Sequence, residues 1–319
     1  KKKINILDTP GYRPFLAETQ LAVRAADAAV VVVDAVAGVE VQTEKVWEFA
    51  DEFKHPRMIF VSKMDRERAD FFKTVEDIQN NFGKSCVPLQ IPIGSAENFQ
   101  GVVDILNEKA FFFTHGDSGR FETGEMPAEL ADQAAQYRQE LVERVAESDD
   151  QLLEKYLEEG ELSLEEVKSA LRGAVVSGTL VPVACGSGTG NIGIQPLMDL
   201  IVDCMPSPLD CEPRKGRSPR GDAEIVRQPL PEAPFSALVI KSTTAHLFHV
   251  GDARIYRLRG EQFEQLTEDH RVWISSQQSY LARALGMDRK VEIDYLALQL
   301  EAGDLFLLAT DGVYEHTDA

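Results

Sequence analysis

Cysteine is scarce in this 319-residue sequence, and the four that occur are scattered. Cys86, Cys185, Cys204 and Cys211 include no close pair of the kind that binds a metal, so neither a zinc site nor a disulfide framework is expected. Because free cysteine is among the most often buried residue types, we interpret these thiols as buried in a reducing cytosol.

Long hydrophobic runs are also missing. No apolar stretch reaches the roughly 18 residues of a membrane-spanning helix, so no membrane partner is expected. The basic start Lys1-Lys2-Lys3 leads into a short strand-like segment, whereas a secretory signal peptide has a long apolar one. A chain that starts on Lys is expected to be processed, trimmed or incomplete.

Positive charge is in deficit, with 33 Lys and Arg residues against 53 Asp and Glu residues and a net charge of −20. Residues 1–210 contribute −16 of this charge and residues 211–319 contribute −4. An acidic chain argues against non-specific nucleic-acid binding, which depends on cations that release counterions from phosphate. No specific DNA partner is expected, although docking through a local patch stays open.

Strand-like and helix-like patterns alternate through the first 110 residues. This alternation predicts parallel strands joined by crossover helices, which is an α/β sheet. The expected strands are residues 4–7, 28–33 and 58–61, and the expected helices are residues 16–26, 43–52 and 74–82.

A helical block is predicted for residues 127–178. Pro127 opens a long charged helix to about Ala146, Ser163-Leu164-Glu165-Glu166 has capping-box spacing, and Gly178 fits a helix stop. Residues 179–185 then return to a buried strand and residues 195–204 to a helix. The block is therefore predicted to be a solvated insertion, about residues 95–178, in an α/β domain of residues 1–210.

Proline concentrates between Pro206 and Pro234, a segment that contains seven prolines and the basic sequence RKGRSPR. This composition predicts an exposed linker at residues 211–234. The basic residues could contact phosphate, but a solvated linker is the favoured interpretation.

Short β runs follow the linker, with turns expected at Gly251-Asp252, Gly260-Glu261 and Gly303-Asp304. The expected strands are residues 235–241, 245–250, 254–258, 291–298 and 305–309, and one helix is expected at residues 276–285.

Three polar segments follow predicted strands of the α/β domain. In Asp8-Thr9-Pro10-Gly11, the carboxylate can hold Mg²⁺ through water and the glycine lets the backbone approach a terminal phosphate. In Ser62-Lys63-Met64-Asp65, the aspartate can accept from the ring N–H and the exocyclic amine of guanine, a donor pair that adenine lacks. The stem of its lysine can lie along the base, and the backbone of Gly186-Ser187-Gly188 can donate to the guanine carbonyl.

Each segment alone also fits a simple turn or a chance Lys-x-Asp. Because all three follow buried strands in one α/β pattern and in the right order, we interpret them together as one nucleotide site.

The chain resembles translational GTPases of the elongation factor G type over about residues 1–244. That family binds GTP with Mg²⁺, docks on the ribosome and drives movement of tRNA and mRNA. The resemblance implies that Asp8 and Gly11 lie on the phosphate and Mg²⁺ side, with Mg²⁺ held by Asp8 through water. It implies that Lys63 and Asp65, beside Ser62, read the base, and that Ser187 and Gly188 complete the pocket. The resemblance is found in residues 4–12, 24–65, 87–94 and 101–104, in the helical block, and in residues 191–210 and 234–242. It also implies that a second family domain starts at residues 235–244.

Three departures from the family pattern bear on activity. Tyr12 stands where the family has the His that positions the attacking water, and a phenol with a pKa of about 10 is a poor substitute for imidazole. A divergent subgroup of the family carries Tyr here as well. Ser62 replaces the usual Asn, and no Gly-x-x-x-x-Gly-Lys-Ser/Thr motif occurs in the 319 residues. That phosphate loop supplies most phosphate affinity, so weak or no GTP binding is expected.

A second set of residues, within 245–319, places Asp252 and Asp311 at strand ends, where two carboxylates can share a metal and Gly312 permits close backbone approach. From the spacing alone, turn-capping aspartates are the favoured interpretation. The segment also resembles metal-dependent 2C-type Ser/Thr protein phosphatases, which use Mn²⁺ or Mg²⁺ ions. The resemblance implies that Asp311 is a core metal ligand and Asp252 an accessory one. The other family ligands have no counterpart, so no phosphatase activity is expected.

The predicted architecture is thus an α/β fold with an incomplete P-loop GTPase-type parallel sheet and a helical insertion. A linker and a β-rich (α+β) incomplete phosphatase-like piece follow, with an abrupt join at Thr244-Ala245. The predicted function is an elongation factor G-like, GTP-binding translation factor in the cytoplasm, with a weak or inactive site. The alternatives are a Mn²⁺- or Mg²⁺-dependent phosphatase acting on a phosphoprotein, and an inactive chimeric fragment or binding module.

Overall fold

The computed structural model forms two compact units, Lys1–Cys211 and Glu212–Ala319, and each is described by itself. The structure describes residues 2–114, 119–211, 213–217, 224–227, 235–241, 243–251, 253–260, 262–275, 278–281 and 292–309.

The first unit alternates helices and strands along the chain, as the sequence predicts. Short 3-10 turns at Arg13–Phe15, Ala96–Asn98, Ala128–Leu130 and Pro208–Asp210 connect or extend them. In chain order the elements are α1 (Leu16–Ala25), β1 (Ala29–Asp34), α2 (Val41–Glu52), β2 (Arg57–Ser62), α3 (Phe71–Phe82), β3 (Cys86–Pro88), β4 (Gln90–Ile93), β5 (Gly101–Asp104), β6 (Lys109–Phe113), β7 (Phe121–Gly124), α4 (Ala131–Ala146), α5 (Asp150–Glu159), α6 (Leu164–Val176), β8 (Val181–Cys185) and α7 (Ile194–Cys204).

A parallel sheet with the order β1-β2-β8-β3 forms the centre of this unit, so the predicted parallel α/β sheet is confirmed. Val33 pairs with Val61, and Val61 pairs with Cys185, so three strands end at the same edge. In an open α/β sheet this carboxyl edge is where ligands bind.

The sheet buries side chains on both faces because successive residues of a strand point to opposite sides. Ile59 and Val61 of β2 pack in one cluster with Val75 and Ile78 of α3. Met58 and Phe60 pack in a second cluster with helix α6, through the side chains of Val167 and Leu171. Of the described helices, none is both long and apolar enough to span a bilayer.

Helix α6 begins with the predicted capping box. The Ser163 hydroxyl accepts from the amide of Glu166, whose carboxylate accepts from the amide of Ser163. Hydrogen bonds from Lys155 and then Ser163 lower the pKa of Glu166 to about 2. The helix ends at Val176, and Gly178 follows in the left-handed conformation (φ +78°) that favours glycine after a helix.

The inserted region is only partly helical. Before helices α4–α6 the chain forms an antiparallel sheet with the order β4-β5-β6-β7, which the sequence analysis did not predict. At Gly101 a Cβ would overlap the carbonyl oxygen of Phe111 on the neighbouring strand, so only glycine permits this close approach.

The predicted strand at residues 4–7 is wrong, because residues 2–11 form neither helix nor strand. A strand needs a paired neighbour, and among the described strands β1 pairs with β2 alone. Strand β1 is also less buried than predicted: Val31 and Val33 are buried, whereas Val30 and Val32, on the opposite face, are 39% and 62% exposed.

Within its described residues, the second unit is built of antiparallel strands. Its sheets have the orders β10-β9, β11-β12-β17, β14-β13-β18 and β15-β16. Buried Ala245, Leu247 and Ile255 form a small core. The strands are β9 (Arg214–Arg217), β10 (Glu224–Arg227), β11 (Phe235–Lys241), β12 (Thr244–Val250), β13 (Arg254–Arg259), β14 (Gln262–Gln265), β15 (Arg271–Ser275), β16 (Gln278–Leu281), β17 (Asp294–Gln299) and β18 (Leu305–Ala309).

The segment predicted to be an exposed linker contains the antiparallel pair β9 and β10. One prediction for this unit is wrong. The helix expected at residues 276–285 is a strand where the structure describes it, because β16 pairs with β15. A short apolar run does not distinguish strand from helix, and here the neighbouring strand decides.

The join expected at Thr244-Ala245 lies within a continuous hairpin. Strands β11 and β12 pair from Lys241 opposite Thr244 to Phe235 opposite Val250 without a register shift. The two sides of this position are therefore one structural element.

We expect Ile59→Ala to destabilise the first unit by about 2–5 kcal/mol, because Ile59 is fully buried in the central strand β2. The matched control is Val32→Ala on β1, which removes apolar atoms from a largely exposed side chain and should cost less than about 0.5 kcal/mol. Urea unfolding of both variants measures the difference. Equal losses would contradict the assignment of β2 to the core and β1 to an open edge.

The lowered pKa of Glu166 predicts how the stability of the first unit changes at acid pH. Its pKa is lowered on folding, so its contribution to stability is complete above about pH 4.5 and is lost as pH falls to about 2. Glu166→Gln should therefore lower the melting temperature at pH 7 and have a vanishing effect near pH 2. The exposed Glu158 on α5 supplies the control Glu158→Gln, for which melting curves should match the parent chain at every pH.

Candidate functional site

Two loops meet at the carboxyl edge of the parallel sheet, one after β2 and one after β8. The amide of Gly186 donates to the carbonyl of Val61 at 3.0 Å, and the amide of Met64 donates to the carbonyl of Gly186 at 3.2 Å. These backbone bonds cross from one strand end to the other. They hold the loop of Lys63 and Asp65 against the loop of Ser187.

Gly186 is required for this contact. A Cβ at this position would lie 2.8 Å from Cζ of Phe60 and 2.5 Å from the carbonyl oxygen of Ile192. Both distances are shorter than real Cβ contacts. Any larger residue would therefore push the second loop away from the first.

Ser187 shapes the second loop from inside. It is fully buried, and its backbone exchanges hydrogen bonds with Ile192 at 2.9 and 3.0 Å. Its hydroxyl accepts from the amide of Gly190 at 2.9 Å. Gly188 is exposed at the tip, with no atom within 4 Å of the position that a Cβ would occupy. The loop thus presents backbone to an open space.

Asp65 joins the two loops and keeps one acceptor unused. Its Oδ2 accepts from the hydroxyl of Thr189 at 3.3 Å. Its Oδ1 is buried and has no hydrogen-bond partner within the described part of the chain. A buried polar atom without a partner costs free energy, so this oxygen is suited to accept hydrogen bonds from a ligand.

Lys63 is held by a residue that was not predicted from the sequence. Its backbone is left-handed (φ +62°), and its Nζ lies 2.6 Å from Oδ2 of Asp34 at the end of β1. Burial raises the pKa of Asp34, but hydrogen bonds from Lys63, Val36 and Ala37 outweigh it and leave the pKa below its ordinary value. The position of Asp34, at the end of the strand beside β2, is the signal that could have identified it.

Ser62 contributes through its backbone. Its carbonyl accepts from the amide of Ala35 at 3.0 Å. Thr189 was not predicted as a site residue either, although the structure places its hydroxyl on Asp65.

The first predicted segment, Asp8-Thr9-Pro10-Gly11, has no hydrogen bond to these loops among the described residues. Asp8 and Gly11 are exposed, and within the described residues neither makes a hydrogen bond to either loop. The carbonyl of Pro10 instead accepts from the hydroxyl of Thr19 on α1 at 2.9 Å. Tyr12 is 77% exposed. The predicted residues Asp252, Asp311 and Gly312 lie outside the described residues.

Residues 1–207 match the family of the elongation factor Tu GTP binding domain. Proteins named Elongation factor G from Thermotoga petrophila and Thermotoga maritima are 41% and 39% identical to the chain over 297 and 296 residues. Each match covers 92% of this chain and 42% of the relative, so the chain spans about two-fifths of the relatives' length. A crystal structure of a protein from Thermus thermophilus matches with a TM-score of 0.62 and 28% identity, over 87% of this chain and 41% of that one.

The matches to elongation factor G cover more of the chain than residues 1–244 can supply, so they extend into the second unit. The family match covers the parallel sheet and both loops of the site, from β1 to the end of α7. The chain therefore belongs to the family of the elongation factor Tu GTP binding domain.

Proposed function

We propose that the first unit carries the base pocket of an elongation factor G-like translational GTPase, and that the pocket selects guanine. The observation that carries this proposal is the buried Oδ1 of Asp65, which has no partner among the described residues. The family match and the relatives named Elongation factor G support it.

The chemistry of Asp65 explains the selection. A carboxylate accepts from both the ring N–H and the exocyclic amine of guanine, whereas adenine presents no such donor pair. The hydroxyl of Thr189 uses one lone pair of Oδ2 and Oδ1 has no partner among the described residues, so the two oxygens can accept one base donor each. A site built around hydrogen-bond acceptors rejects ligands that leave those acceptors unpaired.

The flanking groups complete the proposed pocket. The ion pair with Asp34 anchors the ammonium end of Lys63, so its aliphatic stem is available to lie along one face of the base. The exposed backbone at Gly188 offers N–H groups to the guanine carbonyl, while Ser187 stabilises the loop from within.

Asp8 and Gly11 supply the phosphate side of the proposed pocket. Asp8 is exposed and forms no hydrogen bond within the described chain, so its carboxylate is free to hold Mg²⁺ through water, and Gly11 leaves room for a phosphate. Bound Mg²⁺ would neutralise phosphate charge. The 319 residues contain no Gly-x-x-x-x-Gly-Lys-Ser/Thr motif, so phosphate affinity is expected to be low. Tyr12, in place of a His, would not position water efficiently.

From the same relatives we also propose action on the ribosome, movement of tRNA and mRNA, and a cytoplasmic location. These remain proposals because the chain spans only 42% of the length of the relative. We further propose the domain assignment given by the sequence: a GTP-binding domain at residues 1–210 and the start of a second translation-factor domain at residues 235–244.

The resemblance of residues 245–319 to 2C-type phosphatases stays a proposal about that segment. Its antiparallel sheets are compatible with it, but the proposed Mn²⁺ or Mg²⁺ ligands Asp252 and Asp311 lie outside the described residues. One core carboxylate does not hold a two-metal cluster, so no action on a phosphoprotein is expected.

The base pocket can be tested by nucleotide selectivity. We expect GDP to bind more weakly than micromolar, yet at least about tenfold more tightly than ADP, in ligand-observed NMR titrations. Asp65→Asn should reverse the preference from GDP to xanthosine diphosphate, because the amide nitrogen donates to the carbonyl that replaces the exocyclic amine.

The control is Asp199→Asn on the exposed surface of α7, which should keep the GDP preference of the parent chain. Equal binding of GDP and ADP by the parent chain would contradict the base pocket. Micromolar binding of a fluorescent GTP analogue would contradict the expected loss of phosphate affinity.

The expected lack of phosphatase activity has a separate test. We expect no hydrolysis of p-nitrophenyl phosphate with Mn²⁺ above that of the Asp311→Ala variant, because the other metal ligands of that family are missing. Mn²⁺-dependent turnover that Asp311→Ala abolishes would show that the second unit is a phosphatase.

A further inference from the structure

Two histidines and an aspartate come together in the second unit, far apart in sequence. His249 on β12 and Asp294 at the start of β17 are paired residues of two antiparallel strands. His270, just before β15, joins them. One ligand atom from each of the three residues lies within 4.8 Å of the other two. None of the three residues belongs to the nucleotide pocket or to the predicted phosphatase metal ligands.

His249 is the anomaly that points to a ligand. Its side chain is 1% exposed, and neither Nδ1 nor Nε2 has a hydrogen-bond partner among the described residues. Burial, and then the neighbouring His270, lower the pKa of His249. The backbone of Ala253 opposes this shift. A buried neutral imidazole with an unused lone pair is the form that binds metal ions.

His270 turns its other face to the same point. Its Nε2 lies 2.8 Å from Oδ2 of Asp294, and its Nδ1 accepts from the amide of Gly251 at 3.1 Å. Its ring centroid is 4.8 Å from that of His249. Three potential ligands therefore converge from two strands and one loop.

The loop that carries His270 is firmly held. Arg254 forms two hydrogen bonds with the carboxylate of Asp269, at 2.8 and 2.6 Å. The hydroxyl of Thr267 accepts from the amide of Ile255 at 2.9 Å. The amide of His270 donates to the carbonyl of Gly251 at 2.8 Å. Such supporting contacts orient ligands before a metal arrives.

We propose that His249, His270 and Asp294 form a site for a borderline divalent cation, with Zn²⁺ as the fitting ion and water as the fourth ligand. Imidazole nitrogens and a carboxylate oxygen are a zinc donor set, whereas Mg²⁺ and Ca²⁺ prefer oxygen alone. The cysteine spacing argued only against a zinc site with cysteine ligands. It does not bear on a site formed by histidines. The half-exposed side chain of Asp294 opens the site to solvent.

Binding requires a defined local rearrangement. Tetrahedral zinc ligands lie about 3.3 Å apart, so the His249 nitrogen must approach the other two groups, while His270 Nε2 and Asp294 Oδ2, 2.8 Å apart, must separate slightly. The cation takes the place of the proton between His270 Nε2 and Asp294. The ring keeps one proton, now on Nδ1, and the Gly251 amide that donated to Nδ1 must turn away. Because the Gly251 amide loses this hydrogen bond, we expect zinc to bind with a dissociation constant in about the micromolar range, more weakly than it binds at sites built from cysteine.

The test is a metal titration of the untagged full chain, first with Zn²⁺ by calorimetry and then with Co²⁺ by absorption. We expect one ion per chain, tetrahedral d–d bands from Co²⁺ and no sulfur-to-cobalt charge-transfer band. His270→Gln and Asp294→Asn should each weaken binding about tenfold or more. Because His249 is buried, His249→Gln is compared only after circular dichroism shows a folded chain.

The matched control is His246→Gln. His246 lies on the same strand and contacts Tyr295, the residue after Asp294, with its Nδ1 2.8 Å from the hydroxyl. Its loss should change the zinc affinity less than about twofold, since it supplies no ligand to this site. NMR adds a second readout, because zinc should shift the Gly251 amide resonance.

Several results would overturn the proposal. They are the absence of saturable binding, an equal loss of affinity in His246→Gln, a charge-transfer band that shows a cysteine ligand, and an unchanged Gly251 amide in the zinc-loaded chain. None of these measurements involves guanine nucleotide, so the proposal stands or falls separately from the proposed function.

Discussion

The backbone hydrogen bonds between the ends of β2 and β8 are the constraint on which the nucleotide pocket depends. They fix the second loop against the first, through the contact of Gly186 with Val61 and Met64. The parallel register sets where both strands end, and the glycine sets how closely the loops approach. Asp65 and Thr189, 124 residues apart in sequence, meet because of this constraint.

The second unit uses strand pairing in a similar way. The register of β12 and β17 places His249 opposite Asp294, and the loop before β15 adds His270. In the first unit the groups lie at the ends of parallel strands, which is the usual ligand edge of an α/β sheet. In the second unit they lie along an antiparallel pair, so a shift of one residue in register would separate them.

Local patterns were enough to predict three helices, one helix cap and the central strand β2 of the first unit. Helices α1, α2 and α3, strand β2 and the capping box of α6 follow directly from apolar spacing and capping residues. Asp65 and Ser187 were also identifiable, because each stands just after a buried strand. These features depend on residues that are close in sequence.

Features that depend on distant partners were predicted less well. Residues 4–7 have a strand-like composition but no paired neighbour, and β16 has a helix-like composition but pairs with β15. The ion pair joins Asp34 and Lys63, 29 positions apart, and the His249 group includes His270 and Asp294, 24 positions apart. No motif fixes either spacing. Only the fold brings such groups together.

The two proposed sites share one physical feature, a buried polar atom without a partner among the described residues. Leaving Asp65 Oδ1 or a ring nitrogen of His249 buried without a hydrogen bond costs about 1–3 kcal/mol of folding free energy relative to a bonded group. Their surroundings hold them in place: Thr189 orients Asp65, and strand pairing with Asp294 positions His249. Replacing either residue with an apolar one would relieve that cost, so their presence is better explained by a ligand than by stability. The unused acceptors also differ in kind, because a carboxylate suits the paired donors of a base and a neutral imidazole suits a metal ion.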